Sequence, residues 1–304
     1  MSAPTPKIAP ARHTLLVLSG KGGVGKSSTS VLLARCLAAQ GFRVGLLDVD
    51  LCGPSIPTML GLTASSVRRS PAGWIPVFAD EAQRLSVMSI GFILPGRDDP
   101  VIWRGPKKTA MIHQFLSEVS WGPLDFLIID TPPGTSDEHL AVLEALTAAS
   151  PEAAEAGARP YHIDGAVIVS TPQLVALDDA RKEISFCRTV SIPVLGVIEN
   201  MSVFTCPHCS TCTPVFATGG AERTAAALGC AFLGRLPLDP RLTRLLERGG
   251  DPFAPAAAPA PAPAPGQPAD PLNGPLGEGT MTAISTTVGA ILQSIGVAAP
   301  AAGQ

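Results

Sequence analysis

Short apolar runs alternate with longer segments of helical spacing through most of this sequence. The runs are nearly continuous in Val, Ile and Leu, a pattern typical of strands that are covered on both faces. Strands that alternate with helices predict right-handed crossovers, and hence an α/β fold with a doubly wound, mostly parallel sheet. The predicted strands are residues 14–18, 43–47, 85–90, 124–129, 165–169, 194–198 and 231–236. The predicted helices are residues 27–40, 136–149, 175–190, 220–228, 240–248 and 281–295.

Proline-rich segments divide the chain into a core and its appendages. Residues 1–12 contain three Pro and predict a disordered tail, whereas residues 13–253 carry the strand and helix pattern of one domain. Residues 254–275 are rich in Ala and Pro, which predicts a flexible, extended insertion. Residues 276–304 contain the last helix, which we expect to return to the domain, followed by a tail. A shorter Ala- and Glu-rich stretch at 150–159 predicts a surface insertion.

Composition excludes several classes of protein. Charged residues make up only 15% of the chain and the net charge is −3, so binding of nucleic acid by bulk electrostatics is not expected. Mean hydropathy is positive at +0.30, yet no uncharged apolar run reaches the roughly 18 residues that a membrane-spanning helix needs. The first residues lack the apolar centre of a signal peptide. Seven Cys in a long, core-rich chain indicate reduced thiols or metal ligands rather than a disulfide scaffold.

Residues 20–27, GKGGVGKS, match the phosphate-loop pattern G-x-x-x-x-G-K-[ST] between a predicted strand and a predicted helix. Glycines allow backbone N–H groups to surround phosphates, and the helix N-terminus adds positive potential. In this pattern Lys26 contacts the β- and γ-phosphates and Ser27 binds Mg²⁺. The predicted ATP-binding residues of the loop are Gly20, Lys21, Gly22, Gly23, Val24, Gly25, Lys26, Ser27 and Ser28.

Lys21 departs from the general pattern, which does not require a lysine at this position. A lysine at the mouth of the loop points away from phosphates that its own backbone surrounds. We therefore expect Lys21 to reach a nucleotide on a second chain, much as an arginine finger acts in trans. The segment KGGVGKS resembles the deviant Walker A loop of the superfamily of nitrogenase reductase, MinD and ParA, in which this lysine crosses a nucleotide-sandwich dimer.

Carboxylates follow two predicted strands at the edge where the phosphate loop lies. Asp48 and Asp50 end the second strand, and Asp130 ends the fourth and leads into a Pro-Pro-Gly turn. A carboxylate at this edge can orient the attacking water or hold Mg²⁺, although a solvated strand end or a helix cap has the same pattern. By resemblance to the superfamily, Asp50 positions the water, and Ser27, Asp50 and Asp130 surround Mg²⁺. The same resemblance implies that Asn200 contacts adenine, with residues 237–239, including Pro237, beside the base.

Cys206, Cys209 and Cys212 form a C-x₂-C-x₂-C pattern within seven residues. This spacing allows thiolates to converge on one metal centre, and it indicates a metal site rather than a buried structural role. A closed zinc site or an iron–sulfur cluster needs four ligands, but the other Cys are scattered along the chain. A two-fold dimer in which each chain gives two Cys would supply four, in agreement with the dimer that Lys21 implies.

Several segments together resemble the Mrp/NBP ATPases, and most closely the smaller scaffold subunit of eukaryotic cytosolic iron–sulfur assembly. These segments are LSGKGGVGKSS, LLDVDLCGPSIPTMLG, VIWRGPKK, IDTPPGTSDEHL, GVIENMS, FTCPHCSTCTPVF and LGRLPLDPRL. The resemblance covers residues 13–253 and implies a P-loop NTPase fold similar to those of the nitrogenase iron protein and MinD. The larger subunit of that family carries a four-Cys N-terminal motif, whereas no Cys precedes Cys36 here.

The resemblance also implies cofactors, partners and location. Cys206 and Cys209 would ligate a 4Fe–4S cluster shared with a dimeric partner, ATP would bind with Mg²⁺, and the role of Cys212 stays open. The partner would be a second copy, the larger cluster-bearing ATPase, or both, with apo iron–sulfur proteins or a targeting complex as recipients. The protein would be cytoplasmic and bind neither nucleic acid nor membrane. It would be a slow ATPase that assembles the cluster and transfers it to cytosolic and nuclear apo-proteins.

Other functions share part of this pattern. A positioning ATPase similar to MinD or ParA, with a structural zinc site, would have the same loop. Such proteins use a basic amphipathic tail or a basic surface, whereas residues 276–304 contain no Lys or Arg. A reductase similar to the nitrogenase iron protein would have cluster ligands that are widely separated in sequence. A P-loop ATPase stabilised by zinc is the remaining alternative, and optical absorption after anaerobic reconstitution would distinguish it.

Overall fold

The structure is a computed structural model that describes residues 11–71, 73–94, 104–147, 162–216, 219–254 and 270–298. Its strands are β1 (His13–Leu18), β2 (Val44–Asp48), β3 (Arg68–Ser70), β4 (Gly73–Ile75), β5 (Val77–Phe78), β6 (Leu85–Ser89), β7 (Phe126–Asp130), β8 (Ile163–Ser170), β9 (Val194–Glu199), β10 (Phe204–Thr205), β11 (Cys212–Thr213) and β12 (Phe232–Arg235). Its α-helices are α1 (Lys26–Ala39), α2 (Ile56–Met59), α3 (Gly105–Glu118), α4 (Asp137–Thr147), α5 (Leu174–Thr189), α6 (Gly220–Ala227), α7 (Pro240–Glu247) and α8 (Glu278–Ser294).

The main sheet has the strand order β12-β9-β8-β1-β7-β2-β6-β5. Neighbouring strands pair in parallel from β12 to β6, and the short edge strand β5 pairs antiparallel with β6. Strand order reverses at the centre, where β1 lies between β7 and β8, so the doubly wound parallel sheet predicted from the sequence is confirmed. Ligands of such sheets bind at the carboxyl ends of the strands, near the point of reversal.

Helices cover both faces of the sheet, which explains the continuous apolar strands. In β1, Leu15 and Val17 pack with α1, α7 and α8, whereas Leu16 and Leu18 pack with α3, α4, α5 and α6. Every residue of β7 is buried for the same reason. Burial of these side chains is worth about 25 cal/mol for each Å² of apolar surface removed from water, which makes the sheet the main source of stability.

The predicted elements form, and their ends lie within three residues of the predicted ones. The helix predicted over 281–295 begins at Glu278, and its buried Val288 and Ile291 pack against the face that carries α1. The sequence did not predict α2, α3, the β3–β4 and β10–β11 hairpins or β5. Helix α3 was missed because only Ile112, Phe115 and Leu116 are buried in a largely polar segment.

Some predictions concern residues outside the described ranges. These are most of the tail predicted at 1–12, the surface insertion predicted at 150–159 and most of the Ala/Pro-rich insertion predicted at 254–275. At the end of the predicted tail, Ala11 is buried and the Arg12 N–H donates to the Leu124 carbonyl at 3.2 Å. None of the helices in the described part of the chain is both long and apolar enough to cross a membrane.

Helix α5 buries one carboxyl group in the apolar layer. Glu183 is 0% exposed, and neither carboxyl oxygen has a hydrogen-bond partner among the described residues. Burial raises the pKa of Glu183 to about 7, because a carboxylate loses its hydration there. The side chain is therefore neutral below that pH, and its ionisation opposes folding above it.

We expect Glu183→Gln to abolish a pH-dependent loss of stability. Below pH of about 4 the folded and unfolded states both bind the proton, and between about 4 and 7 only the folded state keeps it. The wild type therefore loses stability as pH rises through this window, up to about 3 kcal/mol for a pKa raised from 4.5 to about 7. Urea unfolding of both proteins from pH 5 to 8 measures this difference, and parallel stability curves would contradict it.

Candidate nucleotide and metal-cluster site

The phosphate loop lies between the end of β1 and the start of α1, at the carboxyl edge of the sheet. Gly23 and Gly25 have φ angles of 81° and 85°, in the left-handed region that favours glycine. A Cβ on Gly25 would also lie 2.1 Å from the Asn200 side-chain nitrogen, so no larger residue fits. The loop encloses a cavity of about 200 Å³, which Lys21, Ser28, Asp50 and Pro133 also line.

Lys26, Ser27 and Asp130 meet at the inner end of this cavity. The Lys26 ammonium lies 2.8 Å from Asp130 Oδ2, and the Ser27 hydroxyl donates to the same oxygen at 2.7 Å. Ser30 donates to Asp130 Oδ1 at 2.6 Å, which fixes the carboxylate on both sides. Lys26 and Asp130 are 6% and 0% exposed. Three of the residues that the sequence analysis assigned to phosphate or Mg²⁺ are therefore in direct contact.

The two carboxylates after β2 occupy different places. Asp50 is half-buried and lines the phosphate cavity, and its Oδ1 accepts from the Gly53 N–H at 3.3 Å. Asp48 is fully buried and pairs in register with Asp130 on β7, while the Ser89 hydroxyl donates to it at 3.0 Å. Burial, and next the negative charge of Asp130, raise the pKa of Asp48 well above its usual range. Of the two, only Asp50 faces the phosphate cavity.

A larger apolar cavity of about 510 Å³ adjoins the phosphate cavity and contains Asn200 and Pro237. Both cavities are lined by Gly25, Ser28, Ser55 and Met59. The Asn200 side chain donates to the Val24 carbonyl at 2.8 Å, which fixes its amide beside the loop. A shared lining of this kind allows one ligand to place phosphates in one cavity and an apolar ring in the other.

Residues that the sequence did not connect with a nucleotide site complete the larger cavity. Met59 comes from the short helix α2 and Ile284 comes from α8, near the end of the chain. The Thr280 hydroxyl on α8 donates to the buried Asp239 carboxylate at 2.8 Å and anchors that helix. For α2, Ser55 at the N-cap and Pro57 in the first turn are a local signal that could have been recognised. No local pattern connects Ile284 to this cavity.

The segment after Asp130 is attached to the phosphate loop. The Gly134 N–H donates to the Ser19 carbonyl at 2.7 Å, and the Thr131 hydroxyl donates to the Val17 carbonyl at 3.0 Å. At the start of α4, His139 Nδ1 accepts from the Ser136 N–H at 3.2 Å. Burial lowers the pKa of His139 to about 4, so the imidazole is neutral. The first two contacts therefore hold the segment between Asp130 and α4 against the residues that lead into the phosphate loop.

The cysteine segment forms a small hairpin next to the larger cavity. Strands β10 and β11 pair antiparallel, and the Cys206 N–H donates to the Thr211 carbonyl at 3.0 Å across the turn. The Thr205 N–H donates to the Leu238 carbonyl at 3.0 Å, which holds the hairpin beside the residues that line the cavity. Cys206 is half-buried, whereas Cys209 and Cys212 are exposed.

The thiols of the hairpin are accessible and one of them is activated. Hydrogen bonds from Thr211, first its hydroxyl and then its N–H, lower the pKa of Cys209. A thiolate is the form that binds metal. Within the described ranges, no three His, Cys, Asp or Glu side chains are arranged to hold a metal ion. Cys36 and Cys187 are buried in α1 and α5.

A parallel sheet with a phosphate loop, a buried Lys–Asp contact and an adjoining apolar cavity defines a P-loop NTPase. The chain belongs to the ParA family described as NUBPL iron-transfer P-loop NTPases, which matches residues 10–262. The matched range includes the loop and cysteine segments, so the family match agrees with the resemblance found in the sequence.

Relatives of the chain include two cytosolic Fe–S cluster assembly factors. The human factor NUBP2 is 54% identical over 256 residues, or 83% of this chain and 90% of that protein. The NUBP2 homolog of Dictyostelium discoideum is 54% identical over 238 residues, or 78% of this chain and 85% of that protein. A nucleotide-binding protein of Archaeoglobus fulgidus, solved with ADP, is 38% identical and superposes with a TM-score of 0.65 over 79% of this chain and 87% of its own.

More distant structures share the fold alone. The cell-division protein MinD of Aquifex aeolicus is 18% identical and superposes with a TM-score of 0.56, over 93% of this chain and 98% of its own. This likeness confirms the doubly wound P-loop NTPase fold expected from the sequence.

Proposed function

We propose that this protein is an ATP-hydrolysing scaffold that assembles a 4Fe–4S cluster between two chains and transfers it to cytosolic and nuclear apo-proteins. The observation that carries the proposal is the presence, in one domain, of a P-loop nucleotide cavity and an accessible thiol pair on a hairpin beside it. The names of the relatives at 54% identity support both the cluster chemistry and a cytosolic location.

ATP would occupy the two adjoining cavities, with its phosphates in the loop and adenine beside Asn200 and Pro237. Lys26 would contact the β- and γ-phosphates, which requires its contact with Asp130 to open. The residues that fit Mg²⁺ are Ser27, Asp50 and Asp130, whose oxygens are the ligands this ion prefers. When bound, the ion neutralises charge that develops on the phosphates.

Two residues would act on the attacking water and the transferred phosphoryl group. Asp50 lines the phosphate cavity and would orient the water, since Asp48 is buried behind it. Lys21 is exposed at the mouth of the cavity and would reach the nucleotide of the partner.

The iron–sulfur cluster is the cargo of this scaffold. Cys206 and Cys209 offer two soft thiolate ligands per chain, which suit iron–sulfur clusters. A two-fold axis through the cluster would bring together two thiolates from each of two chains and complete the four ligands. Because both sulfurs belong to a hairpin on the protein surface, the cluster would remain accessible to an apo-protein that receives it. The partner would be a second copy or the larger cluster-bearing ATPase of the family.

Anaerobic reconstitution of the full chain with iron and sulfide tests this function. We expect one 4Fe–4S cluster for two chains, or about two iron atoms per chain, with Mössbauer parameters of that cluster and the mass of a dimer under native conditions. A positioning ATPase with a structural zinc site would instead bind zinc and show no iron–sulfur absorption. Four iron atoms on an isolated chain would contradict the bridging arrangement.

A further inference from the structure

The turn that carries Cys206 and Cys209 is closed by hydrogen bonds of its own backbone. The Cys206 N–H donates to the Thr211 carbonyl at 3.0 Å, and the Cys206 carbonyl accepts from the Ser210 N–H at 2.8 Å. Ser210 has a φ angle of 56°, in the left-handed region that tight turns use. Both backbone groups of Cys206 are therefore occupied, which fixes the point where its side chain leaves the hairpin.

Thr211 contacts both cysteines of the pair. Its carbonyl accepts from the Cys206 N–H, and its side-chain Oγ1 lies 3.2 Å from Cys209 Sγ, within hydrogen-bond distance for sulfur. A free cysteine side chain can occupy three staggered χ1 rotamers, which direct the sulfur to different places. The hydrogen bond with Oγ1 favours one of them. A single residue thus connects the thiol of Cys209 to the backbone of Cys206.

The third cysteine of the segment has different surroundings. Cys212 Sγ lies 3.8 Å from Thr205 Oγ1 and 3.9 Å from the Ser210 carbonyl oxygen, so both contacts are longer than the one between Cys209 and Thr211. Cys212 belongs to β11 and pairs in register with Thr205, so strand pairing fixes its backbone. The structure therefore distinguishes Cys212 from the two cysteines that Thr211 contacts.

We propose that Thr211 is a positioning residue, which holds the Cys209 sulfur in place to bind the iron–sulfur cargo together with Cys206. This inference rests on the proposed function, because it concerns the thiol pair that would hold the cluster. A thiolate has no proton to donate, so the Thr211 hydroxyl would be the donor once Cys209 binds iron. Hydrogen bonds to the sulfurs stabilise the added negative charge of a reduced cluster and help to set its reduction potential.

Thr211→Val tests this role, because valine keeps the branched shape at Cβ and removes the hydroxyl. The Thr211 carbonyl stays, so the turn should remain closed. A hydrogen bond of ordinary net strength is worth about a factor of five, and the two-fold axis supplies two of them per cluster. We therefore expect the reconstituted variant to lose iron to the chelator bathophenanthroline on the order of 5- to 25-fold faster than the wild type, and its cluster to have a lower reduction potential. Thr211→Ser retains the hydroxyl and should restore both properties.

Thr213→Val serves as the control for loss of a threonine from the hairpin. Thr213 is exposed on β11, in register with Phe204, and its substitution should change neither the iron release nor the potential. A second measurement needs no cluster, because the three-bond Hα–Hβ couplings of Cys209 in the apo-protein report its χ1 rotamer by NMR. We expect one rotamer to predominate in the wild type and in Thr211→Ser, and averaged couplings in Thr211→Val.

These measurements distinguish the positioning role from the proposed function. A Thr211→Val variant that keeps its iron as long as the wild type would overturn the positioning role. Equally fast loss of iron from Thr213→Val would also contradict it, because any change in the hairpin would then have the same effect. A wild type that takes up no cluster would contradict the proposed function, and the couplings in the apo-protein would still decide whether Thr211 fixes Cys209.

Discussion

Cys206→Ala loses nearly all of its iron in anaerobic reconstitution, from about two atoms per chain to almost none, and Cys209→Ala behaves alike. The reason is that a two-fold axis turns one missing thiol per chain into two missing ligands per cluster. Two remaining thiolates cannot complete the four that a 4Fe–4S cluster needs. Iron and sulfide analysis with optical absorption measures the loss, and nucleotide binding to the separate phosphate loop should persist.

Cys212→Ala is the matched control for this experiment. Cys212 is exposed on β11 and pairs in register with Thr205, outside the turn that contains Cys206 and Cys209. Four ligands remain in the dimer without it, so iron content should stay near that of the wild type. A Cys212 variant as depleted as the other two would show that all three thiols are ligands of a cluster held within one chain.

Most of the sheet could be predicted because the strands are covered on both faces. A strand such as β7, in which every residue is buried, carries a continuous apolar run that no surface element shares. The ends of elements shift because strand pairing decides them. Pairing of β7 with β1 and β2 begins at Phe126, two residues after the predicted start of this strand. Helix α3 and the small hairpins bury few side chains, so their patterns are too weak to recognise.

The phosphate loop was predictable because its chemistry depends on residues that are adjacent in sequence. The contacts of Lys26 with Asp130 and of Asn200 with Val24 join distant segments, but each residue ends or follows a strand of the same sheet. Parallel topology therefore brings them together. Ile284 could not be placed in this way. The helix that carries it follows the Ala/Pro-rich insertion and does not directly follow a strand of the sheet, so the strand order does not locate it.

The structure also separates two carboxylates that the residue pattern alone, without the family resemblance, does not distinguish. Asp48 and Asp50 differ by two positions in a strand end, so both are plausible ligands in the sequence. In the fold Asp48 is the last residue of β2 and lies beside Asp130 in the sheet, where burial keeps water away. Asp50 has left the sheet and lines the cavity. The position of Asp50 in the cavity therefore supports the role that the resemblance implies for it, whereas Asp48 is buried in the sheet.

Lys26→Ala reduces ATP hydrolysis on the order of 100- to 1,000-fold, the effect of removing one preorganised charge from a phosphoryl-transfer site. Lys26 is 6% exposed, and its ammonium lies 2.8 Å from Asp130 Oδ2. In the variant, a cation from solvent therefore has little access to the position that the ammonium occupied. Nucleotide affinity should also fall, because in the proposed site Lys26 would contact the phosphates within its own chain. Steady-state hydrolysis and equilibrium binding of labelled ATP measure the two effects, and circular dichroism verifies the fold.

Lys21→Ala should separate binding from turnover, because Lys21 is exposed at the mouth of the loop and its proposed target is a nucleotide on the partner. We expect monomeric protein to bind ATP nearly as the wild type does, while hydrolysis falls and no longer rises with protein concentration. Lys182→Ala, on the exposed side of α5 and outside the phosphate cavity, is the matched control for loss of a lysine. If Lys21→Ala weakens ATP binding by the monomer as much as Lys26→Ala does, Lys21 acts within its own chain. Lys21 would then no longer support a dimer in which one chain contacts the nucleotide of the other.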